Sequence, residues 1–188
     1  SQDFCVERKL QNCVLTEKFE LPDGISAMKM GGIEQAVLGC SGDDRGIDWG
    51  YFFLACNNGT VSDKEMADRL FLQSVSRLDT NDNNTATVVF AYDDIFSIKY
   101  FGEPLRAYWK RDGKTAEKII EEAFSEYNNF KSRCDEFDIN LCNSALGAGG
   151  EKYARLLRLS VRQIMAACKL VVKNDGEILY ITKECLSN

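Results

Sequence analysis

Apolar residues between Cys13 and about Trp109 fall in short runs or alternate with polar ones, and clusters of Gly, Asn and Asp separate the runs. Short runs bounded by turn formers are the pattern of strands. They predict strands over residues 27–30, 33–38, 49–56, 85–92 and 95–100. The run Thr85-Ala86-Thr87-Val88-Val89-Phe90-Ala91-Tyr92 is rich in β-branched and aromatic residues, and Asn81-Asp82-Asn83-Asn84 supplies the turn before it. One interval reads differently. Residues 62–76 predict a helix with Ser62 as N-cap and Glu65 three residues on, a capping-box spacing, although the part from Leu70 onward also reads as strand.

After Asp112-Gly113 the period changes. Thr115 can cap a helix whose apolar positions Ile119, Ile120, Ala123, Phe124, Tyr127 and Phe130 recur at three and four residues, so one stripe faces a core. A loop is predicted over residues 138–150, punctuated by Gly147, Gly149 and Gly150. A second helix over 151–172 sets Tyr153, Leu156, Leu157, Ser160, Ile164, Ala167, Cys168 and Val171 along its buried side, and the two helices make a hairpin. Asn174-Asp175-Gly176 then turns the chain into a strand over 177–182. The expected fold class is α+β: an antiparallel β-sandwich-like region in residues 1–112, then a helical hairpin opening a second unit in residues 113–188. Two helices with one apolar stripe each do not close a bundle, so the pattern implies more chain as their partner.

Hydrophobic residues make up 45% and charged residues 28% of the 188 positions, the balance of a globular protein. No stretch approaches the ~18–20 apolar residues of a spanning helix, so no membrane partner is expected. Residues 1–9 lack the basic region, apolar core and cleavage site of a secretory signal. Twenty-nine acidic against 23 basic side chains leave a charge of −6, a field that repels phosphate backbones, and nucleic acid is not expected as a partner. Lys110-Arg111 is a short basic pair that reads as solvated surface.

The eight cysteines show no CxxC and the chain has no His, so no structural metal and no cofactor are expected. Cys56 and Cys168 lie in apolar runs and read as small buried hydrophobes. Cys134 and Cys142 flank the predicted loop and could bridge if their Cα atoms came within ~7 Å. Asn58 and Asn83 each begin an Asn-x-Thr sequon, and turn chemistry accounts for the same residues equally well.

Six stretches carry a resemblance to a known family. They are Asp48-Trp49-Gly50-Tyr51-Phe52-Phe53-Leu54-Ala55; Ala91-Tyr92-Asp93-Asp94-Ile95-Phe96-Ser97-Ile98-Lys99-Tyr100-Phe101-Gly102; Leu105-Arg106-Ala107-Tyr108-Trp109; residues 127–137; Ser160-Val161-Arg162-Gln163 leading to Ala166-Ala167-Cys168-Lys169-Leu170; and Thr182-Lys183-Glu184-Cys185-Leu186-Ser187-Asn188. In order and spacing the chain resembles the glutaminase A family from about Gly32 to its end. The family's last stretch reads closer to Ser-Lys-Glu-Asn-Phe-Ser-Asn, so Thr182, Cys185 and Leu186 depart from it. The resemblance implies a β-sandwich region leading into an (α/α)6-type helical toroid, here carboxyl-truncated. It also implies glutamine hydrolysis to glutamate and ammonia in the full-length form, a small amide as substrate, and a secreted or periplasmic location. A piece of this kind is expected to be inactive alone and to self-associate through an uncovered apolar face.

Amide hydrolysis needs an activated nucleophile, a stabilised oxyanion and a proton for the leaving ammonia, and without His these roles fall to carboxylates, Lys, Tyr, Ser or Cys. Glu184 as acid or base and Lys183 as its electrostatic or proton-transfer partner are the candidate catalytic pair; a solvated strand end is the alternative. Asp48 and Trp49 could hold a polar substrate against an aromatic wall, or pack a sandwich and cap a turn. Arg162 could grip an α-carboxylate or pair with an acidic residue of the fold. Asp93 and Asp94 point to opposite faces of an extended backbone, which suits a strand-turn role better than a dyad. Cys185 next to Glu184 is a weaker nucleophile candidate, lacking a paired base and needing a positive neighbour such as Lys183. A glycoside hydrolase of the same architecture would need two carboxylates roughly 5–9.5 Å apart. A non-catalytic packing module needs no site at all.

Overall fold

The computed structural model describes residues 14–39, 49–66, 69–76, 78 and 85–182. It is a mixed α+β structure with antiparallel sheets. The first sheet has the order β1-β2-β3-β6, from β1 (Val14–Leu21), β2 (Ile25–Gly32), β3 (Tyr51–Cys56) and β6 (Val88–Asp93). One face carries Ile25, Ala27, Phe53 and Ala55, and helix α1 (Ala116–Ser125) covers it with Ala116 and Ile120. The opposite face carries Met28, Leu54 and Cys56, and the hairpin of β4 (Thr60–Met66) and β5 (Arg69–Val75) covers it through Val61 and Leu72. Burial on both faces explains why β2 and β3 read as nearly continuous apolar runs rather than alternating ones.

The β4–β5 hairpin replaces the helix expected over residues 62–76, and β5 agrees with the alternative strand reading from Leu70 onward. The capping-box spacing is a local signal, and the tertiary one prevails: an apolar sheet face needs a cover that presents side chains at period two. Ser62, rather than capping a helix, accepts a cross-strand hydrogen bond from Gln73 at 3.1 Å, and the two residues are register partners. The strand expected over 33–38 is also absent, because the side chain of Gln35 closes the end of β2. Its amide donates to the Gly32 carbonyl at 2.6 Å and accepts from the Gly50 N–H at 2.5 Å. Of the run at 95–100, only β7 (Ile98–Tyr100) is strand.

Helix α1 starts where expected, with the Thr115 side chain accepting from the Lys118 N–H. It ends at Ser125, so Tyr127 and Phe130 leave the expected core stripe and are exposed. Helix α2 (Tyr127–Ala167) runs through the interval expected to be a loop and is broken only at Gly150, whose φ of 73° and ψ of −170° reverse the chain. The helical hairpin is therefore present, but its turn is one residue. Its limbs approach through small residues: Ala145 and Ala154 are buried, and a Cβ at Gly149 would lie 2.6 Å from Tyr153. Cys134 and Cys142 share the first limb, and at ~1.5 Å rise per residue they stand about 12 Å apart, too far to bridge. Both are free thiols, as are Cys56, which is buried, and Cys168, which is half-buried.

The second limb stops at Ala167 instead of continuing to 172. Cys168–Val172 forms β9, pairing with β8 (Glu103–Ala107) on one side and β10 (Ile178–Thr182) on the other, in a second sheet of order β10-β9-β8-β7. An apolar run of this length suits helix or strand equally by periodicity, and the open edge of β8 decides it. Of the stripe expected to be buried, Tyr153 is 43%, Leu156 61% and Ile164 56% exposed, Leu157, Ser160, Ala167 and Cys168 are half-buried, and Val171 is buried, in β9 rather than in the helix. Among the described residues no helix is long and apolar enough to cross a membrane.

Candidate functional site

The turn between β6 and β7 joins the two sheets. Asp94 is 2% exposed; its carboxylate accepts from the Ser97 hydroxyl at 2.9 Å and faces the Lys169 ammonium of β9 at 3.0 Å. The Trp49 indole N–H donates to the Asp94 carbonyl at 3.0 Å, and the Tyr92 hydroxyl donates to the Trp49 carbonyl. Gly50 follows at φ 94°, where any Cβ would collide with the Asp93 carbonyl. Both oxygens of the Asp94 side chain are thus committed inside the protein, so the group braces the fold. Its neighbour Asp93 faces elsewhere: it accepts from the Ile95 N–H at 2.8 Å and pairs with Lys110 at 2.6 Å. Lys110, expected to be solvated, is instead mostly buried against that carboxylate.

Ile95 sits at φ 58°, a left-handed conformation that a β-branched residue adopts only under constraint. The constrained turn presents Phe96 to an open cleft of about 660 Å³. One wall is the row Arg106, Val172 and Ile178, set side by side by the register of β8, β9 and β10. The rim is Tyr108, Lys110, Arg111 and Asp112 on one side, and Lys173, Asn174 and Gly176 on the other.

Four cations meet in this cleft, and three are answered. Lys110 has Asp93, and Arg111 has Asp112 at 3.4 Å while stacking on Tyr108 at 3.9 Å. Lys173 is held above its ordinary pKa by hydrogen bonds to Glu177 and then Asp175. Arg106 stacks on the Phe96 ring at 5.3 Å and has no carboxylate partner among the described residues. A guanidinium steadied on a ring keeps its N–H fork pre-organised for a planar oxyanion.

Of the residues singled out in the sequence, Trp49 is buried in the Asp94 brace. Arg162 lies on the helical hairpin, 71% exposed and 3.6 Å from Asp138. Asp48, Lys183 and Glu184 lie outside the described residues. Arg106 and Phe96 were not singled out; the available signal was the interleaving of cations and aromatics in Arg106-Ala107-Tyr108-Trp109-Lys110-Arg111. Among the described residues no group of three or more His, Cys, Asp or Glu side chains is placed to hold a metal ion.

Comparison with known proteins adds one match. No curated protein and no solved structure matches the chain. A family model described as a domain of unknown function, DUF5127, matches residues 70–144, a span that contains the β6–β7 turn, Arg106 and the Tyr108–Asp112 rim of the cleft.

Proposed function

We propose that this chain is part of a glutaminase-like amidohydrolase and that the cleft beside β8 binds the carboxylate of its amide substrate. The observation that carries the reading is the Arg106 guanidinium, stacked on Phe96 and without a carboxylate partner among the described residues. Two of the stretches that resemble the glutaminase A family, those at 91–102 and 105–109, contribute Phe96, Arg106 and Tyr108 to the same cleft. Glu184 and Lys183, a few residues beyond β10, are the proposed acid–base pair. The open stripe of Tyr153, Leu156 and Ile164 supports the companion reading that the helical hairpin begins a toroid whose further helices cover it. A glycosidase reading has less support, since Asp112 is the one carboxylate among the described lining residues and it pairs with Arg111.

The test is ammonia release from L-glutamine by the longest natural form of the chain. Arg106→Ala is expected to raise KM roughly tenfold to a hundredfold with kcat nearly unchanged, the cost of about 1.5–3 kcal/mol for a charge-assisted hydrogen bond. Glu184→Gln is expected to lower kcat about a hundredfold with KM nearly unchanged. No ammonia from the unsubstituted protein would overturn the amidohydrolase reading, and an unaltered KM in Arg106→Ala would remove the cleft from it.

A further inference from the structure

The turn between β3 and β4 is Asn57, Asn58 and Gly59, with Thr60 opening β4, and the structure separates the roles of the two asparagines. Asn57 holds the turn: its side-chain oxygen accepts from the Thr87 N–H at 3.1 Å, and its own N–H donates to the Thr87 carbonyl at 3.4 Å. Asn58 makes no such bond to Thr87. Its carboxamide is exposed and has no partner among the described residues. Side-chain turn chemistry is therefore supplied by Asn57, and it does not account for Asn58. Gly59 is required for a separate reason, because a Cβ there would collide with the Val75 carbonyl and come within 2.6 Å of the Ser76 hydroxyl. Thr60 is exposed at the start of β4, opposite Val75 in register. Beside these residues lies an open hollow of about 450 Å³ lined by Asn58, Gly59, Thr60 and Val75, with Val75 55% exposed.

We infer that Asn58 is an N-glycan acceptor when the chain enters a glycosylating secretory compartment. Asn-Gly-Thr satisfies the acceptor rule, the amide nitrogen is exposed with no partner among the described residues, and the hollow over Val75 gives the first sugar an apolar surface to lie on. In the transfer, the Asn58 side-chain nitrogen attacks C1 of an oligosaccharide carried on a polyprenyl diphosphate. The new C–N bond replaces the C1–O bond, the polyprenyl diphosphate departs, and the transferase takes one amide proton. Nothing is oxidised or reduced. The inference is independent of the amidohydrolase reading.

The full chain, led into the secretory pathway of a glycosylating yeast, provides the test. Secreted and cell-retained pools are treated with peptide N-glycosidase in heavy-oxygen water, and the peptide containing Asn58 is read by mass spectrometry. The expected result is conversion of residue 58 to a heavy-oxygen-labelled Asp, lost in Asn58→Gln and in Thr60→Val and kept in Thr60→Ser. The Asn83→Gln variant isolates this sequon from the other one and is expected to keep the label at Asn58. A peptide recovered wholly unmodified at Asn58 in both pools overturns the inference.

Discussion

Asp94→Ala is expected to lower the free energy of unfolding by about 3 kcal/mol, read as a lower urea midpoint. The substitution removes the acceptor of the Ser97 hydroxyl and the counter-ion of Lys169 together. Breaking a buried pair costs ~3–5 kcal/mol because it strands the surviving charge. The lower end applies because the Lys169 side chain retains 26% exposure and can turn toward water. Asp94→Asn keeps the shape and the Ser97 hydrogen bond and is expected to cost about half as much. A midpoint for Asp94→Ala indistinguishable from the parent would mean that this turn does not brace the two sheets.

Ile120→Ala is expected to cost about 3 kcal/mol by the same measurement. Ile120 is 0% exposed and packs among Ile25, Ala27, Phe53 and Ala55. Emptying such a site loses the transfer energy of the removed methylenes and leaves a cavity, together ~2–5 kcal/mol. Alanine is the better helix former by about half a kcal/mol, which offsets only a small part. Each substitution alone removes a large share of the ~5–15 kcal/mol that holds a typical domain. A loss below about 1 kcal/mol would show that α1 is not anchored through this residue.

The elements that sequence reading identified are those whose partners matter least. The β3 and β6 runs are apolar enough to be strands in any arrangement, and Asn174-Asp175-Gly176 makes its turn by local chemistry, the Gly176 N–H donating to Lys173 at 3.0 Å. The failures are tertiary. Residues 62–76 became a hairpin because the Met28–Leu54–Cys56 face needed cover, and 168–172 became a strand because β8 offered an edge. Helix α2 persisted through 138–149 because Leu141 and Ala145 meet the second limb, which no local propensity records.

The cleft was illegible for a related reason. Arg106 and Lys173 are far apart in the chain and meet only because Arg106 pairs in register with Val172. Phe96 reaches the same place through a left-handed Ile95 that composition gives no reason to expect. The aromatic and basic run at 106–111 held the one usable clue, and its meaning depends on which charges are already answered.

The pairing of Ala107 with Val171 has an evolutionary consequence. The chain leaves the second sheet and returns to it on neighbouring strands, ~5 Å apart, so everything between is an excursion with its ends fastened together. Loop closure grows only slowly with length, at about 0.6 kcal/mol per doubling. Residues could be gained or lost around the Gly150 reversal without shifting the register of either sheet. The outer end of the helical hairpin is thus free to diversify while the sheets and the Arg106 cleft stay constant.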